Sequence, residues 1–247
     1  MPNDAAYGAP ALGSDAVSAP VVIAIDGPSG SGKSSVSRAV AEHFGYGYLD
    51  TGAMYRAVTL WCLQQGIDLS DQAAVVAVAE DLPLGMSAEP DDPSVELDGT
   101  DVTEAIRTSE VSCAVSAVAT NLGVREVLVE MQRDLIAVIG DDFGGVVAEG
   151  RDLTTVVAPD AEVRILLTAS ESARLSRRST QLLGTADANA VAAVHDEVVR
   201  RDRDDSTVAQ FTVAADGVVL LDTSELDFDA SVAAAIEIVT RGLAQRT

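Results

Sequence analysis

Residues 27–34 read GPSGSGKS, matching G-x-x-x-x-G-K-[ST] at every fixed position. The run before it, VVIAI at 21–25, is β-branched and apolar, as in a strand buried on both faces, and SSVSRAVAEHF after it has helical spacing. Strand, glycine-rich turn, helix is the context that makes the motif believable. Glycines let successive backbone N–H groups turn inward around phosphate oxygens at the positive end of the helix. Gly27, Pro28, Ser29, Gly30, Ser31, Gly32, Lys33, Ser34 and Ser35 are therefore candidate ATP-phosphate residues. Lys33 is the only lysine among 247 residues; the other basic residues are 15 arginines. A compact ammonium suits the β/γ-phosphates, where a planar guanidinium fork fits differently. Ser34 offers its hydroxyl to Mg²⁺.

The elements that follow alternate. YGYLD reads as a strand, GAMYRAVTLWCLQQG as a helix closing on Gly66, and SDQAAVVAVAEDL as a helix opening on a serine cap. Between about 83 and 102, Pro, Asp and Gly punctuate short alternating pieces, which predicts a small antiparallel sheet with ELDGTDV as its clearest hairpin. Helical spacing resumes through SEVSCAVSAVATN and VREVLVEMQRDLIAVIG. Strands at GGVVAEG, VRILLTA and GVVLLD then alternate with helices at SESARLSRRSTQLL, ANAVAAVHDEVVRRDRDD and 229–242. Strands separated by helices predict an α/β fold, a doubly wound parallel sheet with its ligands at the strands' carboxyl ends.

Charge narrows the ligands. The formal net charge is −23, which argues against a nucleic-acid or anionic-membrane face and leaves a small polyanion, provided that the few arginines converge. Cys62 and Cys113 lie in apolar helical stretches and read as reduced core thiols; His43 and His195 read as structural or surface residues. Residues 1–20 have neither a basic start nor an apolar run, so a flexible tail is expected, and no stretch is long and apolar enough for a membrane span. A cytoplasmic monomer is the expectation.

The phosphate loop alone does not say what receives the phosphoryl group. A guanine-specific switch would show N-K-x-D, and there is no second lysine to make one; a motor would need a further domain. LDTGAMYR places Thr51, Tyr55 and Arg56 just past a strand end, and AEGRDLTTVV places Arg151 and Asp152 just past another. Arginines also gather in ESARLSRRS and RRDRDDST, whereas Arg164, Arg241 and Arg246 read as surface ion pairs.

Together, IDGPSGSGKSS, YLDTGAMYRAVTL, LDGTDVTEAIRTSEVSCAVSAVA and VVAEGRDLTTVVAPDAEVRILLTAS closely resemble the bacterial cytidylate kinase family, from about residue 21 to the end. The resemblance implies a P-loop kinase domain over 21–247 of the nucleoside monophosphate kinase type. It also implies an insertion in the monophosphate-binding part at about 70–118 and a helical lid at about 172–206. It implies transfer of a phosphoryl group from Mg-ATP to CMP or dCMP, in pyrimidine nucleotide metabolism. On that pattern Thr51, Tyr55, Arg56 and Arg151 hold the acceptor's phosphate and nucleoside, and Ser116, Arg125 and Asp152 read the cytosine. Arg174, Arg177 and Arg178 begin the lid, Arg201 and Asp205 form its far side, and Asp205 accepts from the ribose hydroxyl. Lys33, Arg56, Arg151, Arg178 and Arg201 are the catalytic cations, with no base required because the acceptor is already an anion.

Cytosine offers an amino donor and two acceptors, which a carboxylate and an arginine complement. Glu149 reads equally as an acid near Mg²⁺ or as a structural bond to a loop, and Asp50 as a contact to metal-bound water. The chain departs from the family at DSTVAQFTVAADG, where Val208 stands in place of an arginine. Either another lid arginine such as Arg203 substitutes, or acceptor phosphate binding is weaker. A kinase for another small acceptor, such as shikimate, and an ATP-binding regulatory module without turnover are the competing readings.

Overall fold

The structure is a computed structural model that describes residues 19–245; residues 1–18 of the expected tail and Arg246 lie outside the described residues. Five parallel strands, β1 (Val21–Asp26), β2 (Gly47–Asp50), β6 (Gly145–Gly150), β7 (Val163–Thr168) and β8 (Val219–Asp222), form a sheet in the order β2-β6-β1-β7-β8. In β1 successive side chains point to opposite faces, as the period of a strand requires. Ile23 and Ile25 meet one apolar layer with α1 (Lys33–Phe44) and α8 (Phe228–Ala244), and Ala24 meets another with α5 (Leu122–Phe143). All three are fully buried, which is why β1 reads as continuously apolar.

A third apolar cluster joins α2 (Thr51–Gln65), α3 (Gln72–Glu80), α4 (Ser109–Ala119) and part of α5 with the predicted small sheet. That sheet has β3 (Leu84–Met86), β4 (Val95–Leu97) and β5 (Thr100–Asp101) in antiparallel order. Its hairpin turns on Asp98 and Gly99, both with positive φ (48° and 71°), the geometry an Asp-Gly pair favours.

Boundaries differ from the sequence reading in small ways. The cap of α3 is Asp71, whose carboxylate accepts from the Ala74 N–H at 3.1 Å, while Ser70 is spent on Asp68. Gly144 is the left-handed cap of α5, so β6 begins at Gly145. The last helix runs one residue earlier and two later than expected. Cys62 is buried as expected but Cys113 is exposed, on the outer side of α4. Among the described residues Arg164 makes no acid pair; it donates to the carbonyls of Thr154 and Asp216, whereas Arg241 pairs with Glu237. His43 packs edge-on to Phe44, and His195 lies at the surface beside Glu171 and Asp196. No single helix among the described residues is long and apolar enough to cross a membrane.

Candidate active site

A cavity of about 500 Å³ opens at the carboxyl ends of β1, β2 and β6. Eight of the sixteen basic residues line it: Lys33, Arg56, Arg107, Arg125, Arg151, Arg177, Arg178 and Arg201. In a chain so acidic, that convergence is what a polyanion site requires.

The phosphate loop forms one wall through Ser29–Ser35. Gly32 caps α1 without any side-chain hydrogen bond, so the N–H groups of the first turn are left for a ligand. Gly27 and Pro28 lie behind the wall. A Cβ on Gly27 would sit 2.2 Å from the Leu167 carbonyl oxygen, so glycine there allows the loop to pack on β7. Lys33 Nζ stands 3.5 Å from Glu149 Oε2, and the Ser34 hydroxyl donates to Glu149 Oε1. Glu149, ending β6, is buried, and burial pushes its carboxyl up from the usual range although Lys33 opposes this. It bonds the phosphate loop through Ser34 and Lys33 and also lines the cavity.

The opposite wall comes from α2, α4, α5 and the turn after β6. Tyr55 and Arg56 sit in the second turn of α2, because the helix starts at Thr51 behind an Asp50 cap. Asp50 lines the cavity too, with Arg107 at 3.5 Å. Thr51 is buried, its hydroxyl donating to the Glu149 carbonyl at 2.8 Å. Arg56 donates to the Ile106 carbonyl and the Ser112 hydroxyl. Arg125 pairs with the buried carboxylate of Asp152, and its guanidinium lies 6.0 Å from the Tyr55 ring centre. Burial raises the Asp152 carboxyl against the pull of Arg125; burial, then Asp152, pushes the Tyr55 phenol up to about 12. Val115 and Ala119 of α4 line the cavity; Ser116 of the same helix is buried beside them, its hydroxyl without a hydrogen-bond partner among the described residues.

The remaining cations come from two helices, α6 (Glu171–Leu183) and α7 (Ala188–Asp205), which pack through Leu175, Val194 and Val198. Arg201 is held 3.6 Å from Asp205 and is pulled down to about 9 by burial, then by Arg56 and Arg151. Asp205 Oδ1 is buried with no hydrogen-bond partner among the described residues, while Oδ2 lies 2.7 Å from Arg151 Nε. Arg177 is fixed on the carbonyls of Ser31, Thr223 and Leu226. Arg174 is off the cavity wall, held by the Ser29 carbonyl and Asp202.

The sequence profile of cytidylate kinases matches residues 23–241. The chain belongs to the cytidylate kinase family. A cytidylate kinase from Cutibacterium acnes (strain DSM 16379 / KPA171202) is 47% identical over 221 residues, covering 89% of this chain and 96% of that one. Another from Nocardia farcinica (strain IFM 10152) is 49% identical over 212 residues, 85% of this chain and 89% of its own. One from Lactiplantibacillus plantarum (strain ATCC BAA-793 / NCIMB 8826 / WCFS1) is 41% identical, covering 89% and 94%. As a member of the cytidylate kinase family, the chain is a phosphotransferase of the nucleoside monophosphate kinase class.

Three residues that the sequence reading did not assign emerge from the geometry. Asp26, fully buried, accepts from the Leu153 and Thr154 N–H groups and the Thr154 hydroxyl, tying the root of the phosphate loop to the turn carrying Arg151 and Asp152. Phe211 places its ring 4.6 Å from the Arg151 guanidinium, a cation–π contact. Arg107 ends the short helical turn Ala105–Arg107 between β5 and α4. Arg203, by contrast, is exposed beside Asp204 and does not line the cavity.

Proposed function

We propose that this chain transfers the γ-phosphoryl group of Mg-ATP to CMP or dCMP, giving ADP and CDP or dCDP. The observation that carries the reading is one cavity lined by the phosphate loop, a group of arginines and the Arg125–Asp152 pair, whose carboxylate is buried. Asp152 would accept from the cytosine amino group, and Arg125 would donate to the ring nitrogen and carbonyl. Uracil would set an oxygen against that carboxylate and leave buried groups mispaired. Arg56, Arg151, Arg178 and Arg201 would surround the acceptor phosphate and the transferring group; Asp205, with one buried oxygen unpaired, would take the ribose hydroxyl. Thr51 and Tyr55 would complete that wall.

The Ser34 hydroxyl and the Glu149 carboxylate are hard oxygen donors. No group of three or more His, Cys, Asp or Glu able to hold a metal occurs among the described residues. That suits Mg²⁺ carried in largely by phosphates and water, with Ser34 as its protein ligand and Glu149 orienting a bound water. When bound there, Mg²⁺ would supply positive charge to offset the anionic phosphates during transfer. The acceptor phosphate brings its own nucleophilic oxygen, so the side chains need only align it and exclude water.

Coupled ADP release with Mg-ATP against CMP, dCMP, UMP, AMP, GMP and shikimate, beside Lys33→Ala, tests this. Turnover confined mainly to CMP and dCMP and lost in the variant is the expected result. ATP binding without turnover on any acceptor would overturn it in favour of a binding module, and a different preferred acceptor would overturn the substrate.

A further inference from the structure

Asp202 has no part in the reaction as proposed, yet its carboxylate takes three donors beside the cavity. It lies on α7, with its side chain 13% exposed. Oδ1 accepts from the Ser29 N–H at 3.0 Å and from Arg151 Nη1 at 3.0 Å, and Oδ2 is bonded by Arg174 Nη1. Arg174 also donates to the Ser29 carbonyl at 2.9 Å, so α6 and α7 grip both sides of one residue of the phosphate loop. A carboxylate has two oxygens and about four acceptor directions, enough for three donors arriving from three segments. An amide would keep one acceptor and turn its N–H₂ toward a cation or an N–H donor. Around Arg151, Asp202 and Asp205 take the guanidinium edges and the Phe211 ring takes a face. All three come from residues 202–211, although Arg151 itself follows β6.

We propose that Asp202 is a positioning residue that latches the α6–α7 lid onto the phosphate loop and, through the same carboxylate, sets Arg151 relative to that loop. Ser29 and Arg151 stand on loops after two adjacent strands, β1 and β6, and Asp202 is the shared partner that spans them. The donor loop and an acceptor-side arginine are then in register only when the lid is shut, which limits transfer to water. The kinetic part of this rests on the phosphoryl-transfer reading above; the latch itself does not.

The test uses the full chain carrying Asp202→Ala, Asp202→Asn or Arg174→Ala, the last breaking the bridge from its other side should the first fail to fold. Hydrogen exchange at the Ser29 amide, without ligands, reads the latch directly. Asp202→Ala and Arg174→Ala should speed that exchange about tenfold, the scale of one charge-assisted bond. The same variants should raise the KM of both substrates about tenfold and increase ADP release without acceptor relative to kcat, with Asp202→Asn intermediate. Ser29 exchange and acceptor-free ADP release both within twofold of wild type would overturn the proposal. If no acceptor is turned over at all, the reaction fails as the proposed function, and Ser29 exchange alone still decides for or against the latch.

Discussion

Lys33 carries the protein's only side-chain amine, 17% exposed at the cavity wall. An amine-acylating reagent should therefore leave one side-chain adduct by peptide mapping, with activity lost in parallel and Mg-ATP protecting both; an adduct formed with activity intact would remove Lys33 from the chemistry. The second prediction at this scale concerns Asp26, raised from 3.8 to about 6 by burial, against hydrogen bonds from Thr154 and Leu153. Between those values the folded state holds more protons than the unfolded one, so stability rises as pH falls through about 6, and the cost of burying the charge is in full force above it. Relative to Asp26→Asn, the wild type should gain about 2 kcal/mol of unfolding free energy from pH 7 to pH 4.5 in paired urea titrations. No gain, or a loss, would show that Asp26 meets no net burial cost. Phosphate-loop residues were legible because their spacing is local. Asp26 was not, since its partners lie 127 and 128 residues away.

Elements were the most legible scale, because strand periodicity, caps and turns are set by neighbours in sequence. The β4–β5 hairpin was readable from Asp-Gly alone, and its backbone gives a clean test. A Cβ on Gly99 would meet nothing within 4 Å, so the cost of Gly99→Ala comes only from the left-handed φ of 71°. It should be about 1 kcal/mol in urea unfolding, with the kcat of CMP turnover little changed, because the hairpin lies away from the cavity wall. A loss several times larger would mean that the turn does more than reverse the chain. What the pattern hid was the turn after β6. Leu153–Val157 is a π-helical turn with bonds from Val157 to Asp152 and from Ala158 to Leu153, on a sequence, LTTVV, whose β-branched residues suggest extended backbone. The two backbone N–H groups that Asp26 accepts stand at its start, so a distant carboxylate overrides local propensity there.

Taken as one body, the molecule sets a cationic cavity inside a strongly anionic protein. Lining the cavity are eight basic residues and five acidic ones, Asp50, Glu149, Asp152, Asp205 and Asp227, a local positive excess in a chain of net charge −23. Nucleotides approaching from solvent meet the far field first, and it repels them; the arginines attract only within a few ångströms. Salt separates the two effects. The screening length shrinks from roughly 20 Å near 20 mM salt to about 8 Å at 150 mM, which removes long-range repulsion while contacts in a partly buried cavity are screened much less. Raising potassium acetate from about 20 to 150 mM should therefore raise kcat/KM for Mg-ATP and lift the thermal midpoint, since the same self-repulsion opposes the folded state. Many polyanion-binding surfaces steer their ligands and lose association rate under that change. A monotonic fall in kcat/KM here would mean that the eight cations project their field beyond the cavity, and that the surrounding acids are too dispersed to offset it.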